Sequence, residues 1–191
     1  MSRTGRRPGT QETRDAILQA ARRAFGARGY EATSLRSIAR DVGVDPALVV
    51  HYFSTKEGLF LAVFETVVRP SEMFEGLSSL SASEAARLIV ERYLETLAHE
   101  ATRDLVLGLV RSAVSNESAA RMLQEFLRLA LVGSISASIA HPDAELRALL
   151  VTAQLIGIAM LRFVIKDNVV VAASNAELVA LVAPTIENYL R

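Results

Sequence analysis

Between Ser34 and Phe53 the chain stops one helix and starts another within twenty residues, and this constrains its fold more than any other stretch. Ser34 offers an N-cap to a short helix in which Leu35, Ile38, Ala39 and Val42 recur at i, i+3, i+4 and i+7. Gly43 then breaks the chain. Asp45-Pro46 reopens it, with aspartate as the cap and proline at the first helical position, where its missing N–H is no loss. The second helix runs through Val49 to about Tyr52. Two short helices around a glycine turn form a helix-turn-helix over about 34–53.

The flanks supply helices for this pair to pack on. Ile17, Leu18, Ala21, Ala24 and Phe25 place a helix over about Thr10 to Arg28, and Gly29 sits where its C-terminal cap belongs. Ser54 and Glu57 have capping-box spacing, so a fourth helix is expected to start at Ser54 and to end or kink at Pro70. The same spacing at Ser81/Glu84 and Ser174/Glu177 predicts starts near 82 and 175. His141-Pro142-Asp143 predicts another near 142, and helices are expected over 102–115 and 117–138. Val169-Val170-Val171 has an extended character with no partner strand and reads as a buried connection. The fold class is all-α, with about nine helices.

Composition agrees. Half of the 191 residues are apolar, and the chain has no cysteine, which excludes a disulfide framework and a thiolate metal site. The apolar stretch Leu149 to Ile165 carries Thr152, Gln154 and Arg162 and is expected to fall short of the ~18 uninterrupted apolar residues of a spanning helix. With no signal-peptide pattern at the N-terminus, a cytoplasmic location and no membrane partner are expected. The net charge of zero hides a segregation. Up to Glu57 there are ten basic and six acidic residues, a net of +4; the remainder has eleven and fifteen, a net of −4. A basic front suits a polyanionic partner at that end.

The second helix of the pair has an outer face of Pro46, Ala47, Leu48, Val50 and His51, with Tyr52 and Lys56 towards its exit, while Val44, Val49 and Phe53 point inward. Small apolar side chains read thymine methyls in a major groove about 12 Å wide, which double-stranded DNA would provide. Packing within the domain is the other reading of Leu48 and Val50, and for Leu48 both stay open.

The ungapped stretch 13–65 resembles the N-terminal domain of the TetR family of transcriptional regulators. The resemblance lies in Phe25, Arg28-Gly29-Tyr30, Thr33-Ser34, Ile38-Ala39, Val42-Gly43-Val44, His51-Tyr52-Phe53 and Lys56-Glu57. It implies a homodimer in which three N-terminal helices bind operator DNA and a larger C-terminal domain binds a small-molecule effector and dimerises. It further implies that Thr33, Ser34, His51, Tyr52 and Lys56 face phosphates, and that Pro46, Ala47, Leu48 and Val50 meet bases. The family often has lysine, glycine, threonine and tyrosine at the last four places, so donors are missing from this reading face. Arg36 and the arm arginines Arg6 and Arg7 complete the DNA-binding set. Arginines beside glycine and proline can enter a narrow minor groove, although a solvated tail is equally consistent with them.

The expected division is a basic arm over 1–10, a DNA-binding domain over 11–71 and an effector-binding and dimerisation domain over 72–191. Candidate ligand contacts are His99, Arg103, Arg111, Phe126, Met160 and Phe163, with Asn116 and Arg162 as further polar candidates. Candidate dimer contacts are Leu150, Ala153, Gly157, Leu161, Leu178 and Leu181 on the last two long helices, where small residues permit close approach. No cofactor, metal or catalytic constellation is expected, because the three histidines lie far apart and no glycine-rich phosphate loop follows a strand. The expected function is an effector-released repressor on a palindromic operator. A DNA-binding architectural protein without an effector is the alternative, and an enzyme is the more distant one.

Overall fold

The computed structural model describes residues 10–68 and 74–191, and among these the secondary structure is entirely helical. Helix α1 (Thr10–Arg28) ends where Gly29 adopts φ 77, and its N–H donates to the Phe25 carbonyl. The capping predicted at Ser34 is present: its hydroxyl accepts from Ser37 N–H as α2 (Leu35–Val42) begins. Gly43, at φ 75, closes α2 in the left-handed region that an L side chain rarely adopts. Asp45 accepts from Ala47 N–H at 2.7 Å and Pro46 opens α3 (Pro46–Phe53).

The next junction differs from expectation. Ser54 does not cap the start of α4; it sits at φ 62 and closes α3, its N–H donating to the Val50 carbonyl. Thr55 is the cap, accepting from Gly58 N–H at 3.0 Å, and α4 is Lys56–Val68. The register moves by one at a bend of 66° between α3 and α4. A Cβ on Gly58 would collide with the Phe53 carbonyl oxygen, so glycine permits the approach. The expected break at Pro70 lies outside the described residues, as do residues 1–9 of the expected arm; Thr10, its last residue, begins α1.

After a 3₁₀ turn at Leu77–Ser79, α5 (Ala82–Ala98) starts with a reciprocal capping box between Ser81 and Glu84. Helices α6 (Glu100–Ala113) and α7 (Glu117–Leu127) follow. A π-helical turn, Arg128–Val132, carries α7 into the short α8 (Gly133–Ser136). Helix α9 (Ala144–Ala159) likewise widens into a π-helical turn at Met160–Ile165. Helix α10 is the single turn Asn168–Ala172, and α11 (Asn175–Leu190) starts at the predicted Ser174/Glu177 box.

Two expectations are corrected here. Val169-Val170-Val171 is neither extended nor buried. Asp167 accepts from the N–H groups of Val169 and Val170, which nucleates a helical turn, and Val169 is 80% exposed. The apolar stretch around α9 also forms a continuous helix, Ala144–Ile165, of 22 residues. By length and composition it is apolar enough to cross a bilayer, and most of its apolar length is not buried within the subunit.

A continuous core joins both halves. Ile17, Phe25, Ile38, Val49, Leu59 and Phe60 fill the centre of the first four helices. Phe64 of α4 lies 3.8 Å, ring centroid to centroid, from Phe126 of α7, so α4 reaches into the C-terminal half. Helix α1 also packs on α6, and α11 packs along α5.

Candidate nucleic-acid interface

Burial sorts the residues of α3 into two faces. Val49 is fully buried and Phe53 nearly so, which anchors the helix on the core. Pro46, Ala47, Val50 and His51 are exposed and lie at i, i+1, i+4 and i+5, one stripe of a helix. Val50 retains 46% exposure although it is an apolar residue on a helix with ample core nearby. Leu48 is half-buried at the edge of the stripe. Tyr52 is half-buried and packs on the core, so only part of its ring faces outward. Ser34 and Arg36, at the start of α2, are exposed.

Thr33 does not join this surface. It is 1% exposed, and its hydroxyl reaches the carbonyls of Ala24 at 3.1 Å and Gly29 at 2.8 Å. Buried polar groups need such partners, and this one fastens the end of α1 to the start of α2. An expected phosphate contact is thus an internal tie for the side chain. Arg28 and Asp41 add an ion pair between the same two helices at 3.6 Å.

Lys56 is half-buried where α4 begins. Its ammonium lies 4.0 Å from the centroid of the Tyr30 ring and 3.3 Å from the Glu31 carbonyl oxygen. Burial lowers its pKa, against the pull of Glu31 and Glu57. Beneath it Tyr30 donates to Glu57 at 2.9 Å. The Glu57 carboxylate is held below its ordinary value, first by a backbone N–H at the start of α4 and then by Tyr30 and Thr55. Arg14 places its guanidinium 5.4 Å from the Phe53 ring centroid, stiffening the exit of α3. Sequence reasoning missed these ties. The Arg28-Gly29-Tyr30 and Lys56-Glu57 motifs were the available signal, but their pairing across the fold is a tertiary fact.

The candidate ligand residues divide among separate places. Phe126 lines a largely enclosed apolar cavity of about 30 Å³ with Val68, Tyr93, Leu97, Leu127 and Leu131. Arg103, Arg111, Arg162 and Phe163 meet in a larger, open cleft of about 880 Å³ between α6 and the end of α9. Lys166, which the sequence reading passed over, joins them there. His99, Asn116 and Met160 line neither. His99 is exposed between α5 and α6, Met160 is half-buried in the second π-helical turn, and the Asn116 side chain caps α7. Among the described residues no three His, Asp or Glu side chains gather as a metal site.

Of the candidate dimer contacts, Leu150, Ala153, Gly157, Leu161 and Leu181 are exposed on the single subunit. Leu178 is 8% exposed and belongs to the subunit's own core, because α11 turns that face towards α5.

Comparison with known proteins places this geometry. Residues 83–190 match a family model described as "Tetracyclin repressor-like, C-terminal domain", and residues 17–63 match "Bacterial regulatory proteins, tetR family". The chain is 30% identical over 121 residues to the HTH-type transcriptional regulator UidR of Escherichia coli (strain K12), an alignment covering 60% of this chain and 58% of that one. It thus spans little more than half the length of this curated relative. It is 44% identical over 50 residues to the HTH-type transcriptional repressor AcnR of Corynebacterium diphtheriae, 26% of each chain. The crystal structure of a TetR-family regulator from Streptomyces coelicolor A3 superposes with a TM-score of 0.70 at 29% identity, covering 97% of this chain and 98% of that one.

Proposed function

Because the chain belongs to the TetR family of transcriptional regulators, we propose that it is a repressor that grips a palindromic operator as a homodimer and leaves it when a small-molecule effector occupies its C-terminal half. The observation that carries this reading is the exposed stripe of α3, Pro46, Ala47, Val50 and His51, held outward by buried Val49 and Phe53. A stripe of small and apolar side chains suits thymine methyls, while Ser34, Arg36, Lys56 and the part-exposed Tyr52 surround it as phosphate contacts. Arg6 and Arg7 precede this surface in sequence and would add charge in a minor groove. A protein that acts on operator DNA would work in the cytoplasm.

Dimerisation is supported by the open face of α9. Leu146, Leu150 and Leu161 are 59, 40 and 41% exposed, Ala153 and Gly157 lie on the same stripe, and Leu181 of α11 is 77% exposed. A soluble monomer rarely leaves so large an apolar patch uncovered, and the same patch on a second copy would cover it. In such a dimer, copies of α3 about 34–36 Å apart would read successive turns of DNA. Helix α4 links the two functions, since it starts at Lys56 beside α3 and its Phe64 touches Phe126. A coupling of about 1–3 kcal/mol through such a link changes occupancy several-fold to a hundredfold.

A DNA-binding protein without an effector is the second reading. It is favoured by the inner cavity, since about 30 Å³ holds little more than water. Selection of bound genomic fragments, followed by footprinting, tests the first reading. Protection of a palindrome in two half-sites one helical turn apart is expected, and unstructured, sequence-independent protection would contradict it. Thermal stabilisation by a small molecule separates the two readings.

A further inference from the structure

Resting on the effector reading above, we propose that the cleft between α6 and the π-helical end of α9 binds a small organic anion with a flat apolar body, such as an aromatic carboxylate, and that α6 relays its binding to α1. The cleft, at about 880 Å³, has the size of a ligand site. Its charges are unbalanced. Arg103, Arg111, Arg162 and Lys166 line it against Glu100 and Asp104. Both acids lie within ion-pair distance of Arg103, at 3.8 and 3.9 Å. Arg162 is held by Asn175 at 2.7 Å and by the Ala173 carbonyl at 3.3 Å. Among the described residues, Arg111 and Lys166 therefore face the cleft without an anionic partner. An anion there gains two cations without displacing an existing ion pair.

The walls give the body of the ligand. Phe163 carries two guanidinium groups against one ring, Arg103 at 5.1 Å and Arg162 at 5.7 Å from its centroid. Planar guanidinium and phenyl surfaces suit a flat partner, and Leu107 and Val171 extend the apolar wall. The backbone is specialised at the same place. Arg162 and Phe163 lie in the π-helical turn Met160–Ile165, which ends at Lys166 in the left-handed conformation, φ 57, a conformation uncommon for lysine. Departures from regular helix of this sort concentrate at functional sites.

Helix α6 connects the cleft to the DNA-binding half. Glu100, Arg103, Asp104, Leu107 and Arg111 form its cleft-facing stripe at i, i+3, i+4, i+7 and i+11. Leu105, Gly108 and Leu109 are buried elsewhere on the helix, and α6 packs on α1. A Cβ on Gly108 would stand 3.9 Å from the Phe25 carbonyl oxygen, so the two helices meet closely there. An anion that draws Arg111 and Lys166 together moves α6, and α1 with it.

Titration of the full-length protein with 1-naphthoate and with its neutral analogue 1-naphthamide, read by calorimetry and by release of bound operator, tests the proposal. Saturable naphthoate binding, at least tenfold tighter than the amide, is expected. Arg111→Ala and Lys166→Gly should each weaken it at least tenfold, Arg111→Lys should recover part of the loss, and thermal melts should show each variant folded. The glycine variant suits the left-handed backbone at 166. Equal binding of acid and amide, binding unchanged by either substitution, or no saturable binding would each overturn the proposal. If naphthoate fails while a small-molecule extract of cells still releases operator from the Arg111→Ala variant, the anionic cleft is wrong and the effector reading stands. If neither releases operator, both fall.

Discussion

Tyr30 donates a hydrogen bond of 2.9 Å to Glu57, 27 residues further along the chain, and thereby ties the corner after α1 to the first turn of α4. Lys56 lies over the same ring, so the residue proposed to meet phosphate is braced by the core of its domain. Removing the hydroxyl in Tyr30→Phe should cost about 1 kcal/mol, measured as a lowered melting temperature. The pH dependence has a definite sign. The pKa of Glu57 is depressed in the folded state, so its contribution is present above the ordinary glutamate value of 4.5 and fades as pH falls through the lower folded value. The gap between wild type and Tyr30→Phe should therefore be wide near neutral pH and narrow in acid. A gap independent of pH would show that the carboxylate does not hold the tie.

Gly58 governs the angle between α3 and α4. Gly58→Ala adds a methyl into the Phe53 carbonyl, so α4 must swing away or α3 must fray. A loss of about 1–3 kcal/mol is expected from denaturant melts, together with operator affinity reduced more than tenfold. An alanine variant of full stability and affinity would show that the junction has more room than its geometry allows.

The local signals were readable in the sequence because they are local. Ser34, Gly43, Asp45-Pro46, Ser81/Glu84 and Ser174/Glu177 each act within three or four residues, and each marks a helix boundary in the structure. Two adjacent hydroxyl residues, Ser54 and Thr55, can each offer a cap, and Thr55 takes the role because Ser54 closes α3 at the 66° bend between the helices. The valines at 169–171 misled because β-branching favours strand, while a capping aspartate and the lack of a partner strand decide for helix. The family motif points Thr33 to phosphate and the last helix offers Leu178 to a partner; the burial of both depends on which neighbour each segment meets. The cleft gathers Arg103, Arg111, Phe163 and Lys166 from stretches some fifty residues apart, and no periodicity announces that meeting.

Adjacent valines on α3 separate stability from recognition. Val49→Ala removes two buried methyl groups and should cost about 1.5–2.5 kcal/mol of stability. Val50→Ala, at an exposed position, should leave melting within about 0.5 kcal/mol of wild type. It should instead lower discrimination between operator and random DNA by about 1 kcal/mol or more, read by competition binding. Discrimination unchanged in Val50→Ala would remove this residue from the reading face.

Leu178 and Leu181, three positions apart on α11, make a comparable pair. Leu178→Ala cuts into the subunit core and should cost about 2–5 kcal/mol. Leu181→Glu, at 77% exposure, should leave the subunit folded and shift the proposed dimer towards monomer in sedimentation. A dimer undisturbed by glutamate at 181 would place the interface elsewhere than on this face of α11.

The first measurement to make is a titration of DNA upstream of the protein's own gene, at two salt concentrations, with wild type, the Arg6→Ala/Arg7→Ala double variant and Val50→Ala. Saturable binding of two subunits to one palindromic site, falling steeply with salt, is the predicted result. The arm variant should lower the salt slope by about one to two, and Val50→Ala should weaken binding to this site more than to random DNA. Binding that shows no preference for any sequence, here or in a selection over the whole genome, would contradict the assignment of α3 as a reading helix.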